Sequence, residues 1–212
     1  MALRSLPRGL YAITDSHLIP PDKLTNQVAA AIRGGAAIIQ YRDKSSSPAQ
    51  RQQQAAALVS LCHDHGIPLI INDDVELAVV VGAHGVHLGK ADSTVRSARK
   101  QLGSDAIIGV SCYNEFERAV EAASEGADYV AFGRFFPSQS KPDTVTADPE
   151  LLRQARQRLG IPVVAIGGIT SENGQPLITA GAQLLAAIHG VFGQADVQAA
   201  ARRYAELFGV PT

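Results

Sequence analysis

Apolar and polar positions follow a repeating pattern along the chain. Eight short apolar runs each end abruptly in polar residues or glycine, and a stretch with helix-like composition follows each run. Continuous apolar runs of this length are typical of strands buried on both faces, as in a parallel sheet covered by helices. The pattern predicts strands over residues 10–14, 37–41, 68–71, 85–88, 106–110, 129–132, 162–166 and 184–188.

The intervals between these runs predict helices, and Ser47 and Asn114 are expected to cap two of them. The helices are expected over residues 23–34, 48–65, 75–81, 93–102, 114–125, 148–159, 171–180 and 196–208. Repeated strand–helix alternation predicts an α/β fold, an eight-stranded (β/α)8 TIM barrel, with residues 1–212 as a single catalytic domain. An open doubly wound sheet is the main alternative, but no GxGxxG sequence follows the first strand.

Composition narrows the class of protein. The 19 basic and 20 acidic side chains lack the basic excess expected of a nucleic-acid binder. No run approaches the roughly 20 apolar residues of a membrane span, and the first residues lack the apolar core of a signal peptide. Cys62 and Cys112 are too far apart for a CxxC metal site. The expectation is a cytoplasmic protein with neither nucleic acid nor membrane as a partner.

Polar residues at the predicted strand ends form the candidate site, because the carboxyl ends of barrel strands share one rim. After the second strand, Gln40, Arg42 and Lys44 alternate, which would send them the same way if the chain stayed extended. An amide, a guanidinium and an ammonium that converge suit a phosphate or a diphosphate. A solvated charged loop is the alternative explanation.

Acidic residues follow the next two predicted strands. Asn72, Asp73 and Asp74 come after the third strand, and Asp92 comes after the fourth. Asp73 and Asp92 together suit Mg²⁺, which keeps several waters and bridges to substrate phosphates. Asp74 is expected to begin the following helix. Helix capping would explain one or two of the aspartates but not Asn72 as well.

Later strand ends add hydrogen-bonding groups. Ser111 is a candidate donor, and without a G-x-S-x-G sequence it is not expected to be a nucleophile. Gly168 and the Ile188-His189 pair present backbone N–H groups after strands seven and eight, where such barrels usually bind phosphate. His84 and His87 lack metal-ligand spacing and are expected to be packing or solvated histidines.

One predicted connection is long for so short a barrel. Residues 133–147 show no regular periodicity, and a loop of this length is usually functional, often as a lid. It carries the hydroxyls of Ser138 and Ser140 and the ammonium of Lys141. The chain therefore predicts two anion-binding regions, one with a metal and the cations after strand two, and another made of backbone N–H groups. No residue stands out as a dedicated nucleophile.

Taken in order, these motifs resemble the thiamine phosphate synthase family, and the resemblance covers nearly the whole chain. The matching segments are Tyr11-Ala12-Ile13-Thr14-Asp15, Gln40-Tyr41-Arg42-Asp43-Lys44, Ile71-Asn72-Asp73, Gly85-Val86-His87-Leu88-Gly89 with Asp92, Gly109-Val110-Ser111, Phe136-Pro137-Ser138-Gln139-Ser140-Lys141 and Ala165-Ile166-Gly167-Gly168-Ile169. The family joins an aminopyrimidine methyl diphosphate to a thiazole phosphate and releases pyrophosphate. The resemblance therefore implies two small phosphorylated substrates.

The resemblance also implies a role for each matching residue. The pyrimidine diphosphate would bind Gln40, Tyr41, Arg42, Asp43, Lys44, Asn72, Ser111 and Lys141. The thiazole phosphate would bind Ser138, Gln139, Ser140, Gly168, Ile188 and His189. Mg²⁺ would bind Asp73 and Asp92, and the catalytic residues would be Arg42, Lys44, Ser111 and Lys141. The implied reaction is dissociative, with cations directed at the departing pyrophosphate.

Three alternatives remain beside this interpretation. A related thiazole tautomerase resembles this chain but uses a histidine where Tyr113 stands. A Schiff-base aldolase would use Lys44 or Lys141 in a desolvated pocket. A non-catalytic sensor of thiamine precursors would be expected to lose Asp73 or Asp92, and both are present. Oligomeric state stays open, with a homo-oligomer among the alternatives.

Overall fold

A closed barrel of parallel strands forms the centre of the molecule. The computed structural model describes residues 6–137 and 146–209, and within these residues eight strands pair in sequence order, with the first also paired to the last. The strands are β1 (Gly9–Ile13), β2 (Ala36–Tyr41), β3 (Leu69–Asn72), β4 (Gly85–Leu88), β5 (Ile107–Tyr113), β6 (Tyr129–Phe132), β7 (Val163–Ile166) and β8 (Leu184–Ala187). The predicted (β/α)8 fold is confirmed.

Helices cover the outside of the barrel between successive strands. They are α1 (Leu24–Arg33), α2 (Pro48–Asp64), α3 (Val75–Val81), α4 (Val95–Leu102), α5 (Phe116–Ser124), α6 (Glu150–Arg158), α7 (Gln175–Ala180), α8 (His189–Phe192) and α9 (Val197–Glu206), with a 3-10 helix at Pro21–Lys23. In the part of the chain that the structure describes, no helix has the length and apolar character needed to cross a bilayer.

Local chemistry explains where the helices begin and where the prediction fails. Ser47 caps α2 as predicted, because its hydroxyl accepts from the backbone N–H of Gln50 at 3.3 Å. Asp74 caps α3 in the same way, as its carboxylate accepts from Leu77 at 2.9 Å. The predicted cap Asn114 is wrong: α5 begins two residues later, without a side-chain cap.

Other differences lie at element ends. β5 runs three residues beyond its predicted end, because it stays paired with β6 through an irregularity between Ser111 and Tyr113. α7 begins at Gln175 rather than at 171, because Asn173 holds the preceding turn by accepting from the N–H of Thr170 at 2.8 Å. α8 was not predicted, since four residues are too few to show helical periodicity.

Side chains from alternate strand positions fill the barrel interior. The buried interior residues are Tyr11, Ile13, Ile38, Ile70, Ile107, Tyr129, Ala131, Val164, Leu184 and Ala186. The remaining strand positions face the helices and form a second, larger apolar layer. Because the interior is packed with side chains, ligands of such a barrel bind above it, at the rim formed by the carboxyl ends of the strands.

Gly109 on β5 leaves room for the side chain of Tyr129, one of two tyrosines among the buried interior residues. A Cβ at this position would overlap the ring and hydroxyl of Tyr129, which lies across the barrel interior and is fully buried. The ring has no free volume into which it could move, because interiors are close-packed. A methyl group here must therefore displace either the tyrosine or the strand.

We expect Gly109→Ala to lower the free energy of unfolding by about 3 kcal/mol, as overpacked cores do. Gly66→Ala is the comparison, because Gly66 lies at an open helix end, at φ +66°, with no atom within 4 Å of an added Cβ. That change should cost only about 1 kcal/mol of left-handed backbone strain. Urea unfolding followed by circular dichroism measures both. Equal losses would mean that the interior accommodates the methyl group.

Candidate active site

Two carboxylates meet at the rim after β3 and β4. The Gly89 N–H donates to Asp92 Oδ2 at 2.6 Å. A Cβ on Gly89 would lie 2.8 Å from Asp92 Oδ2 and 3.9 Å from Asp73 Oδ1. Lys44 reaches the same place from the loop after β2, with Nζ 3.4 Å from Asp73 Oδ2. Asp73, Asp92 and Lys44 therefore converge beside a glycine whose missing side chain keeps the space open.

Asp73 is held in an environment that disfavours its charge. Burial raises the pKa of its carboxyl group, the neighbouring Asp92 raises it further, and Lys44 opposes both. The residue has a left-handed backbone, φ +63°, fixed by a 2.8 Å hydrogen bond from its N–H to the carbonyl of His87. Two adjacent carboxylates with one partly exposed lysine suit a divalent cation with oxygen ligands, so these residues fit the predicted magnesium.

Arg42 is held by two residues of the loop after β1. Its guanidinium lies 2.9 Å from Asp15 Oδ2, and its backbone N–H donates to the hydroxyl of Thr14 at 2.9 Å. β2 ends before Arg42, so the predicted alternation with Gln40 does not continue into the loop. Arg42 and Lys44 instead take their positions from separate carboxylates on neighbouring loops.

We expect Asp15→Asn to raise KM for the predicted diphosphate substrate by about 3- to 10-fold, because it loosens Arg42 without removing its charge. The effect on kcat should be smaller, since the guanidinium can still reach the ligand. Initial-rate kinetics at several substrate concentrations separate the two constants. Asp22→Asn, at a surface aspartate of the 3-10 helix, is the control. An equal rise in KM in both variants would contradict a specific role for Asp15 in holding Arg42.

Two of the predicted ligand-binding side chains are engaged within the protein. Tyr41 packs on the helix side of β2, and its O–H donates to Gln54 Oε1 at 2.6 Å. Asp43 Oδ1 accepts from the backbone N–H groups of Ser45 and Ser46 at 2.8 and 3.0 Å. Burial favours a higher pKa for Asp43, but these hydrogen bonds outweigh it and hold the pKa well below its usual range. Tyr41 and Asp43 thus order the loop that carries the cations.

An open cavity of about 470 Å³ lies at this part of the rim. Its polar lining includes Asp43, Lys44, Arg51, Asn72, Asp73 and Asp74. Arg51 forms an ion pair with Asp74. The structure thus brings the predicted cation, amide and carboxylate groups of β2 and β3 to one cavity, with Asp74 serving as a helix cap.

Below the rim, five polar side chains form an interior network. Gln40 Nε2 donates to the Tyr11 hydroxyl at 2.8 Å, and that hydroxyl lies 2.7 Å from the Tyr129 hydroxyl. His87 Nδ1 lies 2.9 Å from the Tyr129 hydroxyl, and His87 Nε2 lies 2.8 Å from Ser111 Oγ. The network therefore links two predicted site residues, Gln40 and Ser111, through three residues that the sequence did not assign to the site.

His87 is a packed histidine, as predicted, but it also contacts the candidate site. Burial lowers its pKa to about 4, so the ring is neutral near pH 7. His84 has a local structural role, as its Nδ1 accepts from the backbone N–H of Leu69 at 3.2 Å. The sequence feature that could have indicated the contact of His87 with the site was strand alternation. His87 stands between apolar neighbours on β4, at a position that faces the barrel interior.

Arg118 is another residue that sequence reasoning missed. It lies on α5, where a charged side chain looks like solvated surface. Its Nε donates to the carbonyl of Ser111 at 2.8 Å, and Nη2 donates to the carbonyl of Gly89 at 3.0 Å. The guanidinium thus ties together the ends of β4 and β5, which carry the predicted donor and one side of the carboxylate pair.

The second predicted anion-binding region lies after β7 and β8. Gly168 has φ +65°, and a Cβ there would lie 2.6 Å from the carbonyl oxygens of both Phe136 and Pro137, so only glycine fits. Ile188 and His189 begin α8, with His189 exposed. The other residues predicted for this region and for the lid lie outside the described residues: Ser138, Gln139, Ser140 and Lys141.

The fold and this site define an enzyme of the (β/α)8 barrel class, with its polar residues gathered at the carboxyl ends of the strands. A family model described as thiamine monophosphate synthase matches residues 10–191. The chain belongs to that family. The predicted function, thiamine-phosphate synthase, a transferase of thiamine biosynthesis, is thereby confirmed.

Individual relatives agree over nearly the full length. The thiamine-phosphate synthase of Nitrosococcus oceani is 55% identical over 201 residues, which cover 95% of this chain and 93% of the relative. That of Marinobacter nauticus is 50% identical, over 94% and 90% of the two chains. Among solved structures, thiamine phosphate pyrophosphorylase from Pyrococcus furiosus is 33% identical with a TM-score of 0.86, over 95% of each chain.

Proposed function

We propose that the protein couples 4-amino-2-methyl-5-pyrimidinylmethyl diphosphate with 4-methyl-5-(2-phosphoethyl)thiazole, and that the reaction is a magnesium-assisted dissociative substitution. The observation that carries this proposal is the convergence of Asp73, Asp92 and Lys44 beside Gly89. Carboxylates and an ammonium group in one open space suit a metal–diphosphate complex. The products are thiamine phosphate and pyrophosphate.

The pyrimidine diphosphate takes the side of the rim formed by β2 to β5. Arg42 and Lys44 contact the diphosphate, since both cations are held on the loop after β2. Asn72 and Ser111 supply hydrogen bonds, and Lys141, which follows β6 in the sequence, adds a third cation. Gln40 is buried below the rim and acts through its hydrogen bond to Tyr11. The backbone of Tyr41 and the loop ordered by Asp43 complete this half of the site.

The thiazole phosphate takes the opposite side of the rim. Gly168 offers a close approach to the backbone where no side chain fits, and Ile188 and His189 offer N–H groups after β8. Ser138, Gln139 and Ser140, which follow β6 in the sequence, bind the same phosphate through their polar groups in this proposal. The two substrates thus occupy separate anion-binding regions on one rim, which suits a reaction that joins them.

Asp73 and Asp92 would hold the metal, because carboxylate oxygens are ligands that Mg²⁺ prefers. When bound there, Mg²⁺ supplies positive charge that neutralises the diphosphate leaving group. Arg42 and Lys44 act on the same leaving group from the protein side. Their arrangement places cationic charge where negative charge develops.

In the coupling step, the bond between the pyrimidine methylene carbon and the diphosphate oxygen breaks, and its electron pair leaves with the diphosphate. The electron-rich aminopyrimidine ring stabilises the resulting cation. The thiazole nitrogen then donates its lone pair to the methylene carbon and forms the new C–N bond. No protein nucleophile takes part, and Cys112 would be a poor one, because burial raises the pKa of its thiol to about 12.

Pyrophosphate release tests the proposal directly. The rate is measured with both substrates and Mg²⁺, then with the thiazole phosphate omitted, with EDTA added, and with Asp73→Ala. We expect release only when both substrates and the metal are present, and its loss in the variant. Release that continues without the thiazole phosphate would identify a hydrolase, and a rate unaffected by EDTA would exclude the metal.

We also propose that residues 1–212 act as one catalytic domain. Support comes from the pairing of β1 with β8 and from Arg33 of α1, which donates to Gln198 of α9 at 3.2 Å. Limited proteolysis should yield one protected core rather than two fragments. Two stable fragments would contradict a single domain.

A further inference from the structure

The interior network of Gln40, Tyr11, Tyr129, His87 and Ser111 is almost entirely buried. Tyr11 is 1% exposed, Tyr129 is fully buried, and Gln40 and His87 are 2% and 9% exposed. Each of these groups must therefore find its hydrogen-bond partner within the network. Only Ser111, at the upper end, is partly exposed to the rim.

The network has a direction, because each tyrosine hydroxyl has one proton to donate. Gln40 Nε2 donates to Tyr11, so the Tyr11 proton is free to go to Tyr129. In this arrangement the Tyr129 proton goes to His87 Nδ1, which then acts as an acceptor. A neutral imidazole that accepts at Nδ1 carries its hydrogen on Nε2.

At the upper end, His87 Nε2–H therefore donates to Ser111 Oγ at 2.8 Å. That bond uses a lone pair of the hydroxyl and leaves the Ser111 proton for another partner. A diphosphate oxygen and an unprotonated pyrimidine nitrogen are both acceptors. A serine that arrives as a donor matches them, whereas a serine that spends its proton on His87 would present lone pairs to them.

We propose that His87 is a positioning residue, which, in the tautomer fixed by Tyr129, commits the Ser111 hydroxyl to donate a hydrogen bond to the pyrimidine diphosphate. This inference rests on the proposed contact between Ser111 and that substrate. It adds that the donor direction of Ser111 is set by residues from β1, β2, β4 and β6, none of which need touch the diphosphate. Gln40, at the far end, starts the sequence of donors.

The opposite direction is the competing arrangement. It would need the Gln40 amide oxygen to face Tyr11, after which every donor in the network reverses and His87 carries its hydrogen on Nδ1. The heavy atoms of the two arrangements nearly coincide, since amide and hydroxyl hydrogens decide between them. The tautomer of one ring therefore distinguishes the two.

A pair of substitutions at His87 tests the position of the donor. Glutamine can place its amide N–H near the position of Nε2, while asparagine reaches only the position of Nδ1. We expect His87→Asn to lower kcat/KM for pyrophosphate release by about 10-fold, as the loss of one directed hydrogen bond does, and His87→Gln to retain most activity. Equal losses in both would overturn the donor role.

Combination with Ser111→Ala separates positioning from general support of the fold. Ser111→Ala alone should lower kcat/KM by about 10- to 100-fold, because it removes a hydrogen bond to a charged group. If His87 acts through Ser111, then His87→Asn should add less than about 2-fold in that background. Additive losses would overturn the inference and leave the proposed function intact. A wild-type rate for Ser111→Ala would instead remove Ser111 from the proposed site.

The tautomer is measured by ¹⁵N NMR of the histidine ring in the full-length protein, with His87→Gln used to assign the signal. We expect the hydrogen on Nε2 in the wild type. Tyr129→Phe removes the donor to Nδ1 and should abolish this preference while preserving the ring that packs the interior. Circular dichroism checks that each variant folds. If His87→Asn does not fold, the effect of Tyr129→Phe on the tautomer still tests the proposal. A hydrogen on Nδ1 in the wild type would overturn the proposal.

Discussion

Asp73→Asn should lower kcat/KM for pyrophosphate release by about 1,000-fold, the scale of several kcal/mol of charge stabilisation supplied by a bound metal. Asparagine keeps the shape of the side chain and tolerates the left-handed backbone, φ +63°, of this residue. The loss is therefore one of charge rather than of fold. It should be partly recovered at high Mg²⁺, since weakened binding is compensated by concentration.

Asp74→Asn is the matched control, because it makes the same chemical change at the next residue. Asn and Asp cap helices about equally well, so α3 should keep its cap. We expect kcat/KM to stay within about 2-fold of wild type, as the group lies outside the proposed metal ligands. Similar losses at both positions would show that general negative charge, rather than a specific ligand, matters here.

The carboxyl group of Asp73 also makes the free energy of unfolding depend on pH. Its pKa is raised in the folded protein by burial and by Asp92, so folding favours the protonated form of Asp73. In metal-free protein the contribution of Asp73 to stability should be fully present below the unfolded pKa of aspartate and be lost as pH rises through the raised folded pKa. Thermal unfolding without metal should show this decline in the wild type and a weaker one in Asp73→Asn. Added Mg²⁺ should reverse the wild-type trend.

Lys44→Met should lower kcat by about 100- to 1,000-fold, the range found when a single preorganised group directed at developing charge is removed. Methionine has a similar length and no charge, so it removes the ammonium group that faces Asp73 and the proposed diphosphate. We expect KM to change less than kcat, because negative charge increases on the leaving group as the bond breaks. Stopped-flow measurement of a single turnover would isolate this step.

Lys100→Met on the outer surface of α4 is the control for the loss of one positive charge. It should leave both constants within about 2-fold of wild type, because exposed charges far from a site are screened. Lys44→Arg should recover part of the rate by restoring charge with a different shape. A KM effect without a kcat effect in Lys44→Met would assign the lysine to substrate binding alone.

Much of the barrel was predictable because its strands are short apolar runs with polar ends. The extension of β5 to Tyr113 was not, since it depends on pairing with β6 across an irregularity rather than on local composition. The N-terminus of α5 was misplaced for the opposite reason. Asn114 has good capping chemistry, but the helix begins later, at Phe116. Tertiary contacts overrode local preference at both ends of one loop.

The residues of the candidate site also fall into those that could be predicted from the sequence and those that could not. Asp73, Asp92 and Lys44 each lie within four residues of a strand end, and topology alone brings such residues to one rim. The interior network was beyond sequence reasoning, because the hydroxyls of Tyr11 and Tyr129 are 118 positions apart. His87 gave only a weak signal, a polar residue within an apolar strand. Alternation places His87 on the interior face, but its contact with Ser111 depends on the register between β4 and β5, which periodicity does not supply.

Closure of the barrel by β1 and β8 also constrains how the chain folds during synthesis. β1 gains its second partner only when Leu184–Ala187 has been made, and until then one of its edges carries unpaired backbone groups. The earlier strands can associate progressively, but the final seam joins the two ends of the fold. Such non-local pairing is slow, and an incomplete barrel can pair its open edge with another molecule. Heterologous expression should therefore be most sensitive to temperature and chaperone supply while the last quarter of the chain is emerging.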